Sequence, residues 1–228
     1  TSSLSDELLI EQFVNIFMDR GDFAKAVEVL SQISQDHAIY LRFSKPIIRA
    51  YINGNNYKTA LDKVNSEQKY HKDASDLKLL KGEILYRIKQ YSKTVEELKS
   101  IEADDSVEIR AEVVQFLARA YRKLAKNGSA VSTLESFVES MPTYTSTNSQ
   151  VSAWCELALS YYTTGSVDKA NGALNLAIRI NHSVASCHYA QCVIYKNKQM
   201  KKRGCKQYLK QQPNGIYVQE TERVLNRL

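Results

Sequence analysis

The chain has 228 residues, of which 43% are hydrophobic and 25% are charged, so it can bury a core beneath a polar surface. No apolar run approaches the roughly 18–20 residues that a membrane-spanning helix needs, and no basic stretch followed by an apolar core opens the sequence. Only 3 prolines and 8 glycines occur. This scarcity of helix breakers, together with frequent Ala, Leu, Lys and Glu, predicts an all-helical protein.

A short turn followed by an aromatic residue and, three residues later, a small residue recurs along the chain. Phe23, Tyr57 and Tyr91 occupy the aromatic position at intervals of 34 residues. Weaker copies follow at Asn127 and Val167, which are 36 and then 40 residues further on. A period near 34 residues predicts a helix–turn–helix unit whose apolar face is covered only when neighbouring units stack.

Small residues recur where the two helices of each predicted unit cross, so that the two backbones can approach closely. Large residues one turn away are expected to fill the gaps between the helices. The small residues of the first helices are Gly82, Ala118, Ala158 and Cys192, and those of the second helices are Ala26, Ala60, Ala130 and Ala170.

This pattern resembles the tetratricopeptide-repeat (TPR) family over nearly the whole chain. The fifth unit matches best, with Trp154, Leu157, Tyr161 and Gly165 at the positions where the family has Trp, Leu, Tyr and Gly. The second unit departs from the pattern, because Pro46 stands where Leu is usual. A proline at that position is expected to kink the helix or to mark its first turn.

The resemblance implies one all-α TPR solenoid domain over residues 1–228, a right-handed superhelix of antiparallel helix pairs. About six repeats are expected, followed by a capping helix over residues 214–228 that covers the end of the stack. The expected repeats span residues 7–40, 41–74, 75–108, 111–144, 151–184 and 185–212.

The resemblance also implies that a partner binds in the concave groove lined by the first helix of each repeat. The middle of this groove is expected to be basic and to bind a protein or peptide, an acidic one above all, because guanidinium groups bind carboxylates in a bidentate manner. Ordinary solvated helix faces are the alternative. The groove positions are Glu11, Asn15, Arg42, Lys45, Arg49, Glu83, Tyr86, Gln115, Arg119 and Arg122.

The C-terminal quarter of the chain is strongly basic, since no Asp or Glu occurs from Lys169 to Gln219. Such a patch predicts either electrostatic binding of nucleic acid or an anionic lipid surface, or only a solvated face that prevents end-to-end stacking. We name it the basic patch, and it consists of Lys201, Lys202, Arg203, Lys206 and Lys210.

Sequence motifs for catalysis are missing. The chain has no phosphate-binding GxxxxGK[ST], no GxGxxG and no GxSxG, and its four histidines are scattered. The cysteines Cys155, Cys187, Cys192 and Cys205 form no Cys-x-x-Cys pair, and Cys187 and Cys192 are expected on different faces of one helix. We interpret all four as buried thiols, which favours a reducing compartment. The sequence thus predicts no enzyme, no cofactor and no metal site.

The leading hypothesis is a non-catalytic scaffold or adaptor within a multiprotein assembly, located in the cytoplasm. The alternative is a bacterial pilus or secretion assembly factor, because the segment Tyr195–Gly215 resembles the last repeats of such TPR proteins. That alternative places the protein in the bacterial periplasm or at the outer membrane, after removal of an upstream signal or lipoprotein segment. Both hypotheses leave the oligomeric state open.

Overall fold

A computed structural model describes residues 4–20, 22–32 and 38–228 of the protein. These residues form thirteen α-helices and no β-strand, which confirms the predicted all-α fold. They divide into an N-terminal compact unit (Thr1–Ile84) and a C-terminal compact unit (Leu85–Leu228), with the boundary inside one helix. Each repeat of a solenoid contacts mainly its neighbours, so a single solenoid can also divide into two compact units. The single domain predicted over residues 1–228 therefore stays a prediction.

The N-terminal compact unit is built from two helix pairs and most of a fifth helix. Helices α1 to α4 pack on each other in order, and α1 also packs on α3. Helices α3, α4 and α5 share one cluster of buried apolar residues. Pro46 lies inside α3, which continues beyond it to Asn53. The helices are α1 (Leu4–Asp19), α2 (Phe23–Leu30), α3 (Ala38–Asn53), α4 (Tyr57–Gln68) and α5 (Ser75–Arg87).

The C-terminal compact unit contains the end of α5 and eight further helices. Within it α7, α9 and α11 pack side by side as the first helices of successive repeats, and α8, α10 and α12 are the second helices. The eight helices are α6 (Tyr91–Lys99), α7 (Val107–Lys123), α8 (Asn127–Glu139), α9 (Thr147–Thr163), α10 (Val167–Ile180), α11 (Ala185–Ile194), α12 (Lys198–Gln211) and α13 (Val218–Leu225).

The turn between the two helices of a repeat has the same backbone geometry in four repeats. One residue adopts the left-handed conformation, and the next residue donates its N–H to a carbonyl five residues earlier, which is the Schellman arrangement that ends a helix. The left-handed residues are Asn55 (φ 59°), Lys89 (φ 65°), Ala125 (φ 58°) and Gly165 (φ 80°). The hydrogen bonds are Asn56 to Tyr51 (2.9 Å), Gln90 to Leu85 (2.8 Å), Lys126 to Tyr121 (2.9 Å) and Ser166 to Tyr161 (2.9 Å).

Close helix crossings explain the small residues at the repeat positions. Gly204 shows this most clearly, because a Cβ atom there would lie 2.8 Å from the carbonyl oxygen of His188 and 2.9 Å from the amide of Cys192. Helix α12 therefore crosses the backbone of α11 at a distance that only glycine allows. The predicted crossing residues with no exposed surface are Ala26, Ala60, Ala118, Ala130, Ala158, Ala170 and Cys192.

The four cysteines are fully buried, as predicted, but the prediction of free thiols is wrong. Cys155 and Cys187 form a disulfide between α9 and α11, with their Cα atoms 5.4 Å apart. Cys192 and Cys205 form a second disulfide between α11 and α12, with a Cα separation of 4.7 Å. The packing of adjacent first helices and the crossing at Gly204 bring these pairs together, which a search for short cysteine motifs does not detect.

Trp154 is only partly buried, since it packs against the core shared by α9 to α12 without being enclosed by it. Trp154→Ala is therefore expected to lower the free energy of unfolding by about 2–3 kcal/mol, near the bottom of the range for large core residues. Urea denaturation measures this loss. Tyr162→Ala, at an exposed position of the same helix, is the matched control and should cost less than about 1 kcal/mol. Equal losses in the two variants would contradict the packing described for Trp154.

Candidate partner-binding face

The first helices of the repeats carry all the residues predicted to line the groove. We use the term first-helix face for two surfaces, one in each compact unit. The N-terminal part is formed by α1, α3 and α5, and the C-terminal part by α7, α9 and α11. The two parts differ in charge and in burial, and each is described by itself.

In the N-terminal compact unit, each predicted cation of α3 is paired with a carboxylate on a neighbouring first helix. Arg42 pairs with Glu11 on α1, while Lys45 pairs with Asp76 on α5. The third cation, Arg49, pairs with Glu83, 34 residues further along the chain. The repeat period places these two residues at equivalent positions of adjacent helices, so opposite charges face each other.

The free basic surface predicted for the groove therefore needs correction: the N-terminal part of the first-helix face carries paired charges. Most of these side chains remain accessible, with 57% of Arg42 and 31% of Glu11 exposed, whereas Glu83 is 4% exposed. Asn15 on α1 is also exposed. Exposed pairs of this kind contribute at most about 1 kcal/mol each to stability. A partner can therefore replace these ion pairs with its own charges at a small cost in free energy.

In the C-terminal compact unit, the predicted groove residues are withdrawn from solvent. Arg119 and Arg122 of α7 lie on either side of Glu156 of α9, which has no exposed surface. Arg119 Nε lies 2.7 Å from Glu156 Oε1, and Arg122 Nη2 lies 2.6 Å from Oε2. Tyr86 and Gln115 are buried as well. These five residues form a packed cluster around Glu156 and not the open basic surface that was predicted.

Further hydrogen bonds hold both guanidinium groups in place. Arg119 Nη2 donates to Gln115 Oε1 at 3.2 Å, and Gln115 in turn donates to the carbonyl of Ala111 at 2.8 Å. Arg122 Nη1 donates to Ser160 Oγ at 2.8 Å and to the carbonyl of Glu156 at 3.3 Å. Side chains and carbonyls of α7 and α9 therefore supply hydrogen-bond partners to both guanidinium groups.

Tyr217 from the C-terminal end of the chain fills this cluster. Its phenol donates to the carboxylate of Glu156, and the phenol oxygen lies 2.8 Å from each of the two carboxylate oxygens. Arg119 Nε and Arg122 Nη2 donate to the same phenol oxygen at 3.1 and 2.9 Å. The ring of Tyr217 stacks on that of Tyr189, with the centroids 3.8 Å apart and an interplanar angle of 6°.

The electrostatics of the cluster follow from burial and charge. Burial alone would raise the pKa of Glu156, but the charges of Arg119 and Arg122 and the hydrogen bonds from Arg122 and Tyr217 outweigh it, so that the pKa lies below the ordinary value. Burial and the charge of Glu156 raise the pKa of Tyr217 well above that of a free phenol. Tyr217 is therefore a neutral donor and Glu156 a charged acceptor at neutral pH.

Residues on both sides of Tyr217 attach the rest of the C-terminal segment to the same compact unit. Arg87 Nη1 donates to the carbonyl of Asn214 at 3.0 Å, and Lys123 pairs with Glu220 at 2.5 Å. Helix α13 packs on α12 and α11. The segment predicted to cap the last repeat thus extends across α7 and α9 as well.

Neither Glu156 nor Tyr217 is among the residues predicted to bind a partner, although the sequence carries a signal for Glu156. Glu156 is the only charged residue of α9, and one carboxylate in a helix of this kind needs a buried partner. Arg119 and Arg122 are spaced to lie on one side of α7, so they were available as that partner. No comparable signal marks Tyr217.

The basic patch lies on α12, as the sequence predicts, and most of it is exposed. Among the described residues, no carboxylate forms an ion pair with any of its five cations. In the C-terminal compact unit a cleft of about 480 Å³ adjoins the patch, and its lining includes Arg203, His182, His188 and Gln191.

Among residues 4–20, 22–32 and 38–228, no three His, Cys, Asp or Glu side chains are placed to hold a metal ion. None of the helices in these ranges has the length and apolar character required to cross a membrane.

Known structures resemble this chain in fold. PilF of Pseudomonas aeruginosa has a TM-score of 0.64 and 15% identity over 96% of this chain and 97% of its own. A MamA chain of Desulfovibrio magneticus RS-1 has a TM-score of 0.61 and 15% identity over 78% of this chain and 96% of its own. The structure of the APC/C hetero-tetramer Cut9-Hcn1 has a TM-score of 0.64 and 14% identity, covering 97% of this chain and 46% of the matched chain.

These likenesses confirm the TPR fold that the sequence predicts, since other structures matched at the same level have TPR-like repeats. No protein-family model matches the sequence. No curated protein matches it either.

Proposed function

From the TPR fold, we propose that this chain is a non-catalytic scaffold that binds another protein on its first-helix face. A stack of repeats presents a long surface on one set of helices, and proteins of this architecture use that surface for binding. Cut9, which resembles this chain in fold, occurs in a hetero-tetramer with Hcn1. The surface, not a catalytic cluster, is the feature that supports the proposal.

The N-terminal part of the first-helix face is the proposed contact region. The observation that carries this choice is the row of exposed ion pairs between α3 and its neighbours, in which Arg42 is more than half exposed. An acidic segment of a partner would compete with Glu11 for Arg42 and with Asp76 for Lys45. Exchange of one ion pair for another favours recognition and a fast encounter more than high affinity.

Affinity capture with matched variants tests this proposal. The double variant Arg42→Glu and Lys45→Glu reverses one exposed and one partly exposed cation and leaves Arg49, whose partner Glu83 is buried, unchanged. The double variant Lys201→Glu and Lys202→Glu in the basic patch is the control with the same change in charge. We expect proteins captured by the wild type to be reduced at least about fivefold with the first variant and retained with the control. Equal capture by both folded variants would overturn the proposed contact region.

The basic patch supports a second candidate function, the electrostatic binding of nucleic acid or anionic lipid. The supporting observation is that its cations are largely exposed and have no ion-paired carboxylate among the described residues. Binding of an oligonucleotide or of phosphatidylserine vesicles should then fall steeply with salt and disappear when Lys201, Lys202 and Lys206 are changed to Glu. Unchanged binding by that variant would exclude the patch as the site.

The two disulfides support an oxidising compartment in place of the cytoplasm that free thiols favoured. We therefore propose the bacterial periplasm or the outer membrane as the location, which is also where a pilus or secretion assembly factor would act. The fold likeness to PilF is compatible with that role. Removing the disulfides is the test, and its expected result is given in the Discussion.

A further inference from the structure

The C-terminal segment, residues 213–228, contacts α7 and α9 as a bound ligand would. One aromatic ring enters a closed polar cluster, and one carboxylate three residues later reaches Lys123 at the rim. Tyr217 is 4% exposed, whereas Lys123 and Glu220 keep 34% and 29% of their side-chain surface. A buried aromatic anchor with an accessible charge pair at its rim is the usual anatomy of a recognition site between chains.

The receiving cluster belongs to the repeats and not to the segment. Besides their hydrogen bonds to Tyr217, the two guanidinium groups have partners within the repeats, namely Glu156, Gln115 and Ser160. Three charged groups arranged in this way offer two donors and one acceptor to a single hydroxyl group. A phenol satisfies both demands with one oxygen atom, and phenylalanine satisfies neither.

The ring of the ligand has its own place. Tyr189 of α11 supplies a flat stacking partner, and the guanidinium of Arg119 lies 5.6 Å from the centroid of the Tyr217 ring. A cleft of about 210 Å³ remains beside the ring, lined in part by Tyr86, Leu159 and Thr163. The site therefore accepts an aromatic ring and leaves room for additional atoms of a ligand.

We infer that the face of α7, α9 and α11 is a recognition site for a helical segment that carries Tyr-x-x-Glu, and that Tyr217 and Glu220 are its intramolecular occupant. A partner protein with the same two side chains at the same spacing displaces residues 213–228 and binds in their place. This inference rests on the proposed function, in which the first-helix face binds a partner, and it names the chemistry of the segment that the C-terminal part of that face recognises.

The covalent connection makes displacement conditional. A tethered segment has an effective concentration of about the millimolar range, so an untethered peptide with the same contacts competes poorly. A partner must add contacts of its own, for example in the cleft beside the ring. Weakening the tethered segment should therefore increase the affinity for an added peptide, a gain that a purely structural role of Tyr217 does not predict.

The test uses the full chain and a fluorescent peptide with the sequence of residues 213–228 as the probe. We expect the Tyr217→Ala chain to bind this peptide at least about tenfold more tightly than the wild-type chain does. Glu220→Lys should give a gain of about threefold, because it places two lysines together at the rim. Glu222→Lys, an equal charge change at an exposed position of the same helix, should give none. A peptide with Phe in place of its Tyr should bind the Tyr217→Ala chain at least about tenfold more weakly.

Each outcome decides the inference. If folded Tyr217→Ala and Glu220→Lys chains bind the peptide no better than wild type, or if the Phe peptide binds equally well, the segment is a fixed part of the fold and the inference is wrong. If Tyr217→Ala does not fold, as circular dichroism will show, the comparison of Glu220→Lys with Glu222→Lys carries the test. The probe is a piece of this chain, so failure here leaves the capture experiment on Arg42 and Lys45 unaffected, and the reverse also holds.

Discussion

Glu156→Gln is expected to lower the free energy of unfolding by about 3–5 kcal/mol, the usual loss when one partner of a buried ion pair is removed. The carboxylate has no exposed surface and accepts hydrogen bonds from Arg119, Arg122 and Tyr217. A neutral amide of the same size leaves two buried guanidinium groups without their counter-charge. Urea denaturation followed by circular dichroism measures the loss.

Glu96→Gln is the matched control, since Glu96 is an exposed residue of α6 in the same compact unit. It should change the free energy of unfolding by less than about 0.5 kcal/mol. A loss below about 1 kcal/mol for Glu156→Gln would mean that Glu156 is not the central charge of the cluster.

The same carboxylate predicts how stability depends on pH. The pKa of Glu156 is lower in the folded chain than its ordinary value of 4.5, so the folded state binds this proton less readily than the unfolded state does. Its contribution is therefore fully present above about pH 4.5 and is lost as the pH falls through the lowered pKa. The wild type should lose stability more steeply than Glu156→Gln does between about pH 5 and pH 3.

Removing the disulfides is expected to be the second large effect. The double variant Cys155→Ala and Cys187→Ala removes the disulfide that closes a loop of 32 residues. The double variant Cys192→Ala and Cys205→Ala removes the one that closes a loop of 13 residues. The entropy of loop closure in the unfolded chain predicts losses of about 4 and about 3 kcal/mol, respectively. Denaturation of the oxidised wild type and of the two double variants measures both losses.

The reducing agent supplies the control for this comparison. Adding dithiothreitol should destabilise the wild type and leave a variant without any of the four cysteines unchanged. The wild-type protein, when it is secreted into an oxidising compartment, should contain no titratable thiol after denaturation. Four thiols in such material, with no effect of reductant on stability, would contradict the disulfides and the compartment that they support.

The helix pairs could be predicted because local physics repeats along the chain. The regular aromatic spacing predicts the helix pairs, and small residues recur where two helices cross closely. These small residues include the fully buried Ala26, Ala60, Ala130 and Ala170. The shared turn is less visible in the sequence. Of its four left-handed positions only Gly165 is a glycine, while Asn55, Lys89 and Ala125 are held there by the hydrogen bonds that close each helix.

The charge of the first-helix face could not be predicted by counting cations on single helices. Its sign depends on which residue of the next repeat stands opposite, as Glu83 does for Arg49. Tyr217 lies 61 residues beyond Glu156, outside any repeat spacing, so only the folded chain shows that the two meet. The cysteine pairs were not predicted because each joins two different helices, at separations of 32 and 13 residues, and not two positions of one short motif.

Lysine footprinting of the complex with a captured partner tests the central claim, that the first-helix face is the binding surface, most directly. Lys45 lies on α3, a first helix, whereas the exposed Lys25 and Lys58 lie on the second helices α2 and α4. Acetylation of each lysine, with and without partner, is quantified by mass spectrometry. The proposed function predicts that the partner protects Lys45 at least about threefold and leaves Lys25 and Lys58 unchanged. Protection of Lys25 and Lys58 with Lys45 still reactive would contradict it.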